Sequence, residues 1–202
     1  MKRILFLGAH PDDIESGAGG LLVKILDKAT PYVLVFSDCE EQPGNQGITE
    51  EFHLSMQTLG VKKDNYNLFD VPNTRFPSHS ERIRKILEEH REKLKPDIVV
   101  THSIPNTHQD HRTITEEALR VFRNHSILMY EDLKSTPGFT PNLIVSLTKE
   151  QLQRKIEALR CYKTQMRRYY FDFDYIKALA TVRGKQMGTA HGEGFRVYQF
   201  LF

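Results

Sequence analysis

Three side chains near the start of the chain have the types and spacing that chemistry needs. His10, Asp12 and Asp13 fall within four positions, with Pro11 among them. Proline fixes its own φ angle and biases the preceding residue toward an extended conformation. His10 and Asp13 can then converge on one point while Asp12 points separately. An imidazole and a carboxylate together suit zinc or another divalent transition metal, so this turn predicts part of a metal site.

A purely structural role explains the same turn equally well when it is considered alone. In that alternative, His10 is a buried core histidine with satisfied hydrogen bonds. Asp12 or Asp13 then caps the following helix by accepting hydrogen bonds from its first N–H groups. A second cluster later in the chain shifts the balance toward function.

The second cluster holds two histidines three positions apart, His108 and His111, with Asp110 between them. At the start of a helix, such a pair can supply one metal ligand and one catalytic imidazole. A catalytic imidazole needs an acceptor that fixes its tautomer, and Asp110 is the near candidate. The alternative is an exposed helix start with incidental histidines. The two clusters together provide metal ligands as well as an acid and a base, which favours a catalytic site.

Both clusters follow apolar runs that are typical of strands buried on both faces of a sheet. The runs are residues 4–7 and 97–102, and apolar residues at helical spacing follow the first turn over 16–29. The alternation of strands and helices predicts an α/β fold with a mostly parallel sheet, helices on both faces and the site at the carboxyl ends of the strands. Further strands are predicted at 32–36, 67–71, 127–130, 143–147 and 195–200, helices at 48–59 and 113–124, and helices capped by Ser78 with Glu81 and by Thr148 with Gln151.

Composition narrows the class of protein. With 202 residues and a net charge of +2, we expect one domain over 1–202, with no nucleic-acid partner and no membrane span. Cys39 and Cys161 form no disulfide framework, and no signal peptide precedes the first turn, so we expect a cytoplasmic protein. The basic and aromatic stretch 167–173 suits a sugar-stacking wall or a subunit contact, although a packed loop or helix start is the commoner outcome.

The two clusters together resemble the PIG-L/LmbE-like family of metal-dependent N-acetylglucosamine-type deacetylases. The resemblance is carried by residues 9–15 and 108–111, and more weakly by the glycine-rich 17–20 and by 193–195. It implies a Rossmann-like sheet and a zinc site formed by His10, Asp13 and His111. It also implies that Asp12 is the general base and that Asp110 orients His108.

The chain departs from the family pattern at two positions. Gln109 stands where proline is usual, which changes the stiffness of the loop rather than its chemistry. Ile48 stands where many members carry an arginine three residues before a glutamate, here Glu51. A substrate contact made by that arginine is therefore not expected here.

The leading hypothesis is zinc-dependent removal of an N-acetyl group from a small amino-sugar or glycoconjugate substrate. Asp12 would take a proton from the attacking water, and a protonated His108 would stabilise the oxyanion and protonate the leaving amine. The alternative is a non-catalytic sugar- or nucleotide-binding module that keeps the fold. A phosphoesterase would need a second metal ion, which Glu15 and Asp38 do not clearly supply. The metal identity and the oligomeric state, including a homo-oligomer, stay open.

Overall fold

A seven-stranded sheet forms the centre of the molecule, with helices against both of its faces. The computed structural model describes residues 1–201. The strand order is β3-β2-β1-β4-β5-β7-β6. The strands are β1 (Lys2–Gly8), β2 (Ala29–Val35), β3 (Tyr66–Leu68), β4 (Ile98–His102), β5 (Ser126–Tyr130), β6 (Leu143–Leu147) and β7 (His191–Gln199), and the helices are α1 (Asp13–Ile25), α2 (Ile48–Leu59), α3 (Ser80–Leu94), α4 (Gln109–Val121), α5 (Lys149–Leu159) and α6 (Phe173–Gln186).

The central strand β1 creates the crevice in which a ligand can bind. It pairs in parallel with β2 on one side and with β4 on the other. The chain therefore runs outward from β1 to β3 and then crosses back to begin the other half of the sheet at β4. In open α/β sheets, ligands bind at the carboxyl ends of the strands where the order reverses in this way. The predicted α/β fold is confirmed, with only β7 antiparallel to its two neighbours.

Burial on both faces explains why β1 is a continuous apolar run. Ile4 and Phe6 belong to a core on one face, which also contains apolar residues of α1, α2 and α5. Leu5 and Leu7 belong to a core on the other face, against α3 and α4. Successive side chains of a strand point to opposite faces, so each face receives every second residue of β1. This double burial fixes the position of the turn that follows β1.

Several element boundaries differ from the sequence predictions. The capping box of Thr148 and Gln151 is confirmed at the start of α5. The predicted box of Ser78 and Glu81 is wrong: residues 76–79 form a 3-10 turn in which the Ser78 hydroxyl donates to the carbonyl of Arg75, and α3 begins at Ser80. Helices α1 and α4 begin earlier than predicted, at Asp13 and Gln109.

The helix α6 was not predicted because its apolar residues do not form a single stripe. Ile176 and Ala180 are buried, whereas Tyr175 and Val182 are exposed. Residues 167–173 lead into this helix, and the carboxylate of Asp172 caps it. Over residues 1–201, the helices are too short or too polar to cross a bilayer.

A close approach between α1 and β5 yields a test of the fold. A side chain at Gly17 would overlap the buried ring of Tyr130, whose hydroxyl donates to the carbonyl of Leu7 at 2.9 Å. We expect Gly17→Ala to lower the free energy of unfolding by about 1–3 kcal/mol, the usual range for overpacking a core. Urea denaturation measures this change.

Gly19→Ala is the matched control for this variant. It gains the same helix propensity, and the nearest atom that its methyl group would meet is Cγ of Lys155 at 3.2 Å, whereas the Tyr130 ring would lie 2.2 Å from a methyl group at position 17. Equal losses of stability in the two variants would contradict the packing described here.

Candidate metal centre

The turn after β1 holds Asp12 in a conformation that leaves its side chain free. Asp12 has a φ angle of 87° and occupies the N-cap position of α1, but its side chain makes no capping hydrogen bond. The carboxylate of Asp13 instead closes the turn, since its Oδ2 accepts from the backbone N–H of His10 at 2.7 Å. Left-handed backbone is costly for a residue other than glycine and is often found at functional sites. The alternative in which Asp12 merely caps the helix is therefore not what the structure contains.

Donor atoms of three side chains lie close together beside this turn. The Nδ1 atom of His10 lies 3.3 Å from Nε2 of His111 and 3.5 Å from Oδ2 of Asp13. The other carboxylate oxygen of Asp13, Oδ1, lies 3.5 Å from Nε2 of His111. Ligand atoms bound tetrahedrally to zinc at about 2.0–2.2 Å are separated by about 3.3–3.6 Å. The predicted ligands His10, Asp13 and His111 thus have the spacing that a divalent metal ion requires.

The far nitrogen of each imidazole is held by a carboxylate. Nε2 of His10 lies 3.1 Å from Oδ2 of Asp110, and Nδ1 of His111 lies 3.4 Å both from Oδ1 of Asp132 and from the hydroxyl oxygen of Ser135. When these nitrogens donate to the carboxylates, the nitrogens that face each other carry lone pairs. Metal-binding histidines characteristically donate their other N–H to a carboxylate in this way. The lone pairs of His10 and His111 and the carboxylate of Asp13 are therefore suited to bind a metal cation.

Asp110 contacts His10 and His108, but not with the atoms that the sequence suggested. Its backbone N–H donates to Nδ1 of His108 at 3.2 Å, whereas its carboxylate contacts His10. The carboxylate also accepts hydrogen bonds from the backbone N–H groups of Thr74, at 2.7 Å, and Phe76, at 3.3 Å. These two amides draw it away from His108. The expected carboxylate contact with His108 is therefore corrected to a backbone contact.

Sequence reasoning missed His102 and Asp132, which support the centre from below. Nδ1 of His102 lies 3.1 Å from Oδ1 of Asp132, and its Nε2 accepts from the backbone N–H of Ala9 at 3.1 Å. The amide of Asn106 donates to the other oxygen of Asp132. His102 ends β4, and Asp132 follows β5 after one residue. The rule that polar residues at the carboxyl ends of parallel strands meet could have identified both.

The carboxylates of the centre differ in their protonation behaviour. Burial alone would raise the pKa of Asp13, but the imidazoles of His111 and His102 lower it well below its usual range. The same two imidazoles lower the pKa of Asp132 against the effect of burial. For Asp12, burial and the negative charge of Asp13 raise the pKa well above its usual value. Asp13 and Asp132 are therefore ionised ligands or acceptors, while Asp12 is suited to accept a proton.

His108 is a neutral hydrogen-bond donor at neutral pH. Burial, together with the positive charges that His10 and His111 can carry, lowers its pKa to about 4. The rings of His108 and His111 stack with centroids 4.4 Å apart, and two stacked charged imidazoles would repel each other. Since Nδ1 of His108 accepts the N–H of Asp110, its proton lies on Nε2. This differs from the protonated His108 that the sequence analysis expected.

A cavity of about 230 Å³ opens beside these residues. Asp12, Asp13 and His108 line one part of its wall, and Ile48 of α2 contributes an apolar side chain. The rest of the wall comes from the segments that follow β2, β3, β5 and α5; the last two contribute Lys134, Arg168 and Tyr170. The cavity gives a small ligand access to the point where the three candidate metal ligands converge.

The fold and this cluster define an α/β protein with a buried His/Asp cluster at the carboxyl edge of its sheet that could hold a metal ion. The family model described as "PIG-L: GlcNAc-PI de-N-acetylase" matches residues 5–122, and the chain belongs to this family. The chain is 26% identical to diacetylchitobiose deacetylase of Thermococcus kodakarensis over 236 aligned residues, which cover 100% of this chain and 85% of that protein.

Solved structures share the fold over the whole chain. The conserved protein TT1542 from Thermus thermophilus matches with a TM-score of 0.85 at 19% identity, covering 100% of this chain and 97% of that one. The 4-carboxy-2-hydroxymuconate hydratase GalB of Pseudomonas putida matches with a TM-score of 0.78 at 18% identity, covering 100% and 98%. Because a hydratase shares this architecture, the fold alone does not define the reaction.

Asp132→Asn tests whether the missed carboxylate supports metal binding. The asparagine side chain is uncharged, so it no longer provides the carboxylate that accepts from Nδ1 of His111. We therefore expect zinc affinity to fall by about 10- to 100-fold. Competition with a chelating dye measures this affinity. Asp27→Asn is the matched control, because Asp27 is exposed in the turn between α1 and β2, at the opposite edge of the sheet. Equal affinities in the two variants would exclude the role given to Asp132.

The pKa of His10 predicts how metal binding depends on pH. Burial alone would lower this pKa, but Cys39 and the carboxylates of Asp110 and Asp13 raise it well above its usual value. The metal-free protein therefore carries a proton on His10 at neutral pH, and an ion must displace it. We expect zinc affinity to rise about tenfold per pH unit below this pKa, with proton release on binding. Calorimetry in two buffers of different ionisation enthalpy counts the protons; binding without proton release at pH 7 would contradict this prediction.

Proposed function

We propose that this chain is a zinc-dependent hydrolase that removes the N-acetyl group from an N-acetylglucosamine-type amino sugar, releasing acetate and a free amine. The observation that carries the proposal is the uncapped carboxylate of Asp12 beside the converging atoms of His10, Asp13 and His111. A protein that only bound sugars would have no need of a free carboxylate held in a costly backbone conformation. The family and the deacetylase relative support the same reaction.

His10, Asp13 and His111 would hold the ion. Two imidazoles and one carboxylate leave a coordination position open, which is typical of catalytic rather than structural zinc sites. When bound, the ion supplies Lewis-acid chemistry, which polarises an amide carbonyl and makes water a stronger acid. Another divalent transition metal fits the same donors.

The residues around the centre support one ion rather than two. Two groups of side chains over residues 1–201 have potential ligand atoms close together. One is His10, His108 and His111, and the other is Asp13, His102, His111 and Asp132, so both would use His111. Nε2 of His102 already accepts the N–H of Ala9, and its Nδ1 faces Asp132. These atoms are used within the protein, which argues against the two-metal phosphoesterase considered above.

Asp12 acts as the general base in this mechanism. Its side chain lines the cavity and is not tied to the helix. The raised pKa of Asp12 increases its tendency to take a proton from the water that attacks the acetyl carbonyl. The proton then passes to the leaving nitrogen, so that the amine departs neutral.

His108 stabilises the oxygen that becomes negative during the attack. His108 is a neutral imidazole with its proton on Nε2, so it stabilises the oxygen by donating a hydrogen bond and not by carrying a positive charge. Loss of that proton would leave an imidazolate, so the proton for the leaving nitrogen comes from Asp12 and His108 keeps its own. Asp110 positions His108 through its backbone N–H and His10 through its carboxylate, which links the two halves of the site.

The substrate and setting follow from the same features. The cavity admits a small molecule, and a net charge of +2 gives no reason to expect a nucleic-acid partner. Cys39 and Cys161 are free thiols, in keeping with a cytoplasmic location. A single domain over 1–202 completes the proposal.

The function is tested by acetate release from a panel of N-acetylhexosamines, nucleotide-linked sugars and thiol-linked glucosaminides. We expect the zinc-loaded protein to release acetate from at least one of them. Asp12→Asn should lower kcat by about 100-fold or more, the scale for a general acid–base group, while zinc content stays at the wild-type level. Asp27→Asn, with the same change at the opposite edge of the sheet, should retain full activity. Loss of zinc from Asp12→Asn would instead make Asp12 a ligand.

A further inference from the structure

Gln165 is buried in the cavity wall, and its side-chain nitrogen is fully used within the protein. It lies in the short turn that follows α5 and lines the same cavity as His10 and His111. Its Nε2 atom donates to Oδ1 of Asn45 at 3.1 Å and to Oγ1 of Thr164 at 3.1 Å. A primary amide has two N–H donors and one oxygen acceptor. Only the oxygen of this amide is therefore left to bind a ligand.

Asn45 fixes the direction of the first of these hydrogen bonds. It is buried in the loop after β2, and its Nδ2 atom donates to the carbonyl oxygen of Cys39 at 3.4 Å. A backbone carbonyl can only accept, so turning the Asn45 amide over would bring two oxygens together. The Oδ1 atom of Asn45 is therefore held toward Gln165, and Gln165 must supply the proton between them.

Glu51 of α2 fixes the direction of the second hydrogen bond. Its carboxylate accepts from the hydroxyl of Thr164 at 2.7 Å and from the backbone N–H of Thr164 at 3.1 Å. An ionised carboxylate can only accept, so the hydroxyl of Thr164 gives its one proton to this contact. The lone pairs of the hydroxyl are then what Gln165 meets, and Gln165 must again be the donor.

The oxygen of the Gln165 amide is consequently an acceptor of fixed orientation. Reversing the amide would place this oxygen against the oxygens of Asn45 and Thr164. Over residues 1–201 the Oε1 atom accepts no hydrogen bond, yet it stays accessible to solvent, unlike Nε of Arg168, which is buried without a partner. Because the side chain lines the cavity, a ligand can reach this oxygen from there. A group that donates a hydrogen bond complements it, whereas a group that only accepts does not.

A hydroxyl group is the donor that an amino sugar can bring to this oxygen. The amide N–H of the sugar belongs to the group that is hydrolysed beside the candidate metal ligands, so it is not free to bind elsewhere. Gln165 and those ligands line one cavity of about 230 Å³. A sugar that fills this cavity with its acetyl group at the ligands would therefore also contact Gln165.

We propose that Gln165 is a specificity-determining residue whose Oε1 atom accepts a hydrogen bond from one hydroxyl group of the amino sugar. The inference rests on the proposed deacetylase function and adds a rule of substrate choice, namely that the sugar must carry a donor at one defined position. A site built to bind a hydroxyl discriminates against an analogue that lacks it, because the acceptor is then left without a partner.

Analogues of one substrate test this rule. The parent compound is the member of the panel described above that has the highest kcat/KM. In each analogue one hydroxyl is replaced by hydrogen or by fluorine, which is close to a hydroxyl in size but donates no hydrogen bond. At one position we expect both replacements to lower kcat/KM by about tenfold, the scale of one hydrogen bond to a sheltered acceptor.

Two substitutions of Gln165 separate the oxygen from the network that holds it. Gln165→Met and Gln165→Glu both remove the N–H groups that bind Asn45 and Thr164, but only glutamate keeps an oxygen acceptor at the cavity. We expect the tenfold penalty at that hydroxyl to disappear in Gln165→Met and to persist in Gln165→Glu. Gln57→Met makes the same change at an exposed position of α2 and should keep the wild-type penalty. Zinc content should be equal in all three variants.

The outcomes separate this inference from the proposed function. A wild-type protein that shows no such penalty at any hydroxyl, or that accepts the fluorinated analogues as well as the parent, excludes the role of Gln165 while the deacetylase stands, and neither measurement needs a variant. A penalty that persists in Gln165→Met also excludes it, since another residue would then bind the hydroxyl. Equal loss in Gln165→Met and Gln165→Glu would make Gln165 a structural residue only. If no compound in the panel loses its acetyl group, the proposed function itself fails.

Discussion

The close approach of the donor atoms of His10, Asp13 and His111 is the constraint on which the rest of the site depends. Lone pairs of His10 and His111 and the carboxylate of Asp13 face each other at 3.3–3.5 Å. Such an arrangement is unfavourable unless a cation or a proton occupies the centre. Asp110 and Asp132 maintain it by holding the far nitrogen of each imidazole, so the ring cannot turn its donor inward. The arrangement of the candidate ligands therefore depends on these two acceptors as much as on the ligands themselves.

The sheet supplies the rigidity that this convergence requires. The ligands come from the turn after β1 and from the start of α4, which follows β4, and these two strands are hydrogen-bonded neighbours. Tyr130 of β5 ties the two together, because its hydroxyl contacts the carbonyl of Leu7 and the ring of His102. Only a glycine at position 17 leaves room for its ring. Packing of α1 against β5 thus positions the floor of the metal centre.

The sequence was sufficient for the parts of the site that depend on local geometry. His10, Asp13 and His111 lie on turns that apolar strands and helical spacing identify, and all three converge as expected. The partner of Asp110 was not predictable, since it depends on backbone N–H groups of Thr74 and Phe76, more than 30 residues away in the chain. Asp132 carries no local motif. Its role arises only because β5 lies next to β4 in the sheet.

The cavity wall has two parts that the fold holds in different ways. Asp12 and the candidate ligands His10, Asp13 and His111 are positioned by strands and helices whose apolar faces form both cores. Lys134 and Arg168 lie instead in the connecting segments 131–142 and 160–172. Within these segments Asp132 and Phe171 are buried, whereas Lys134 is exposed and Arg168 is half-buried. Exposed residues of connecting segments tolerate substitution better than buried ones. Replacing either cation would therefore change the charge of the cavity wall without moving the strands and helices that bring His10, Asp13 and His111 together.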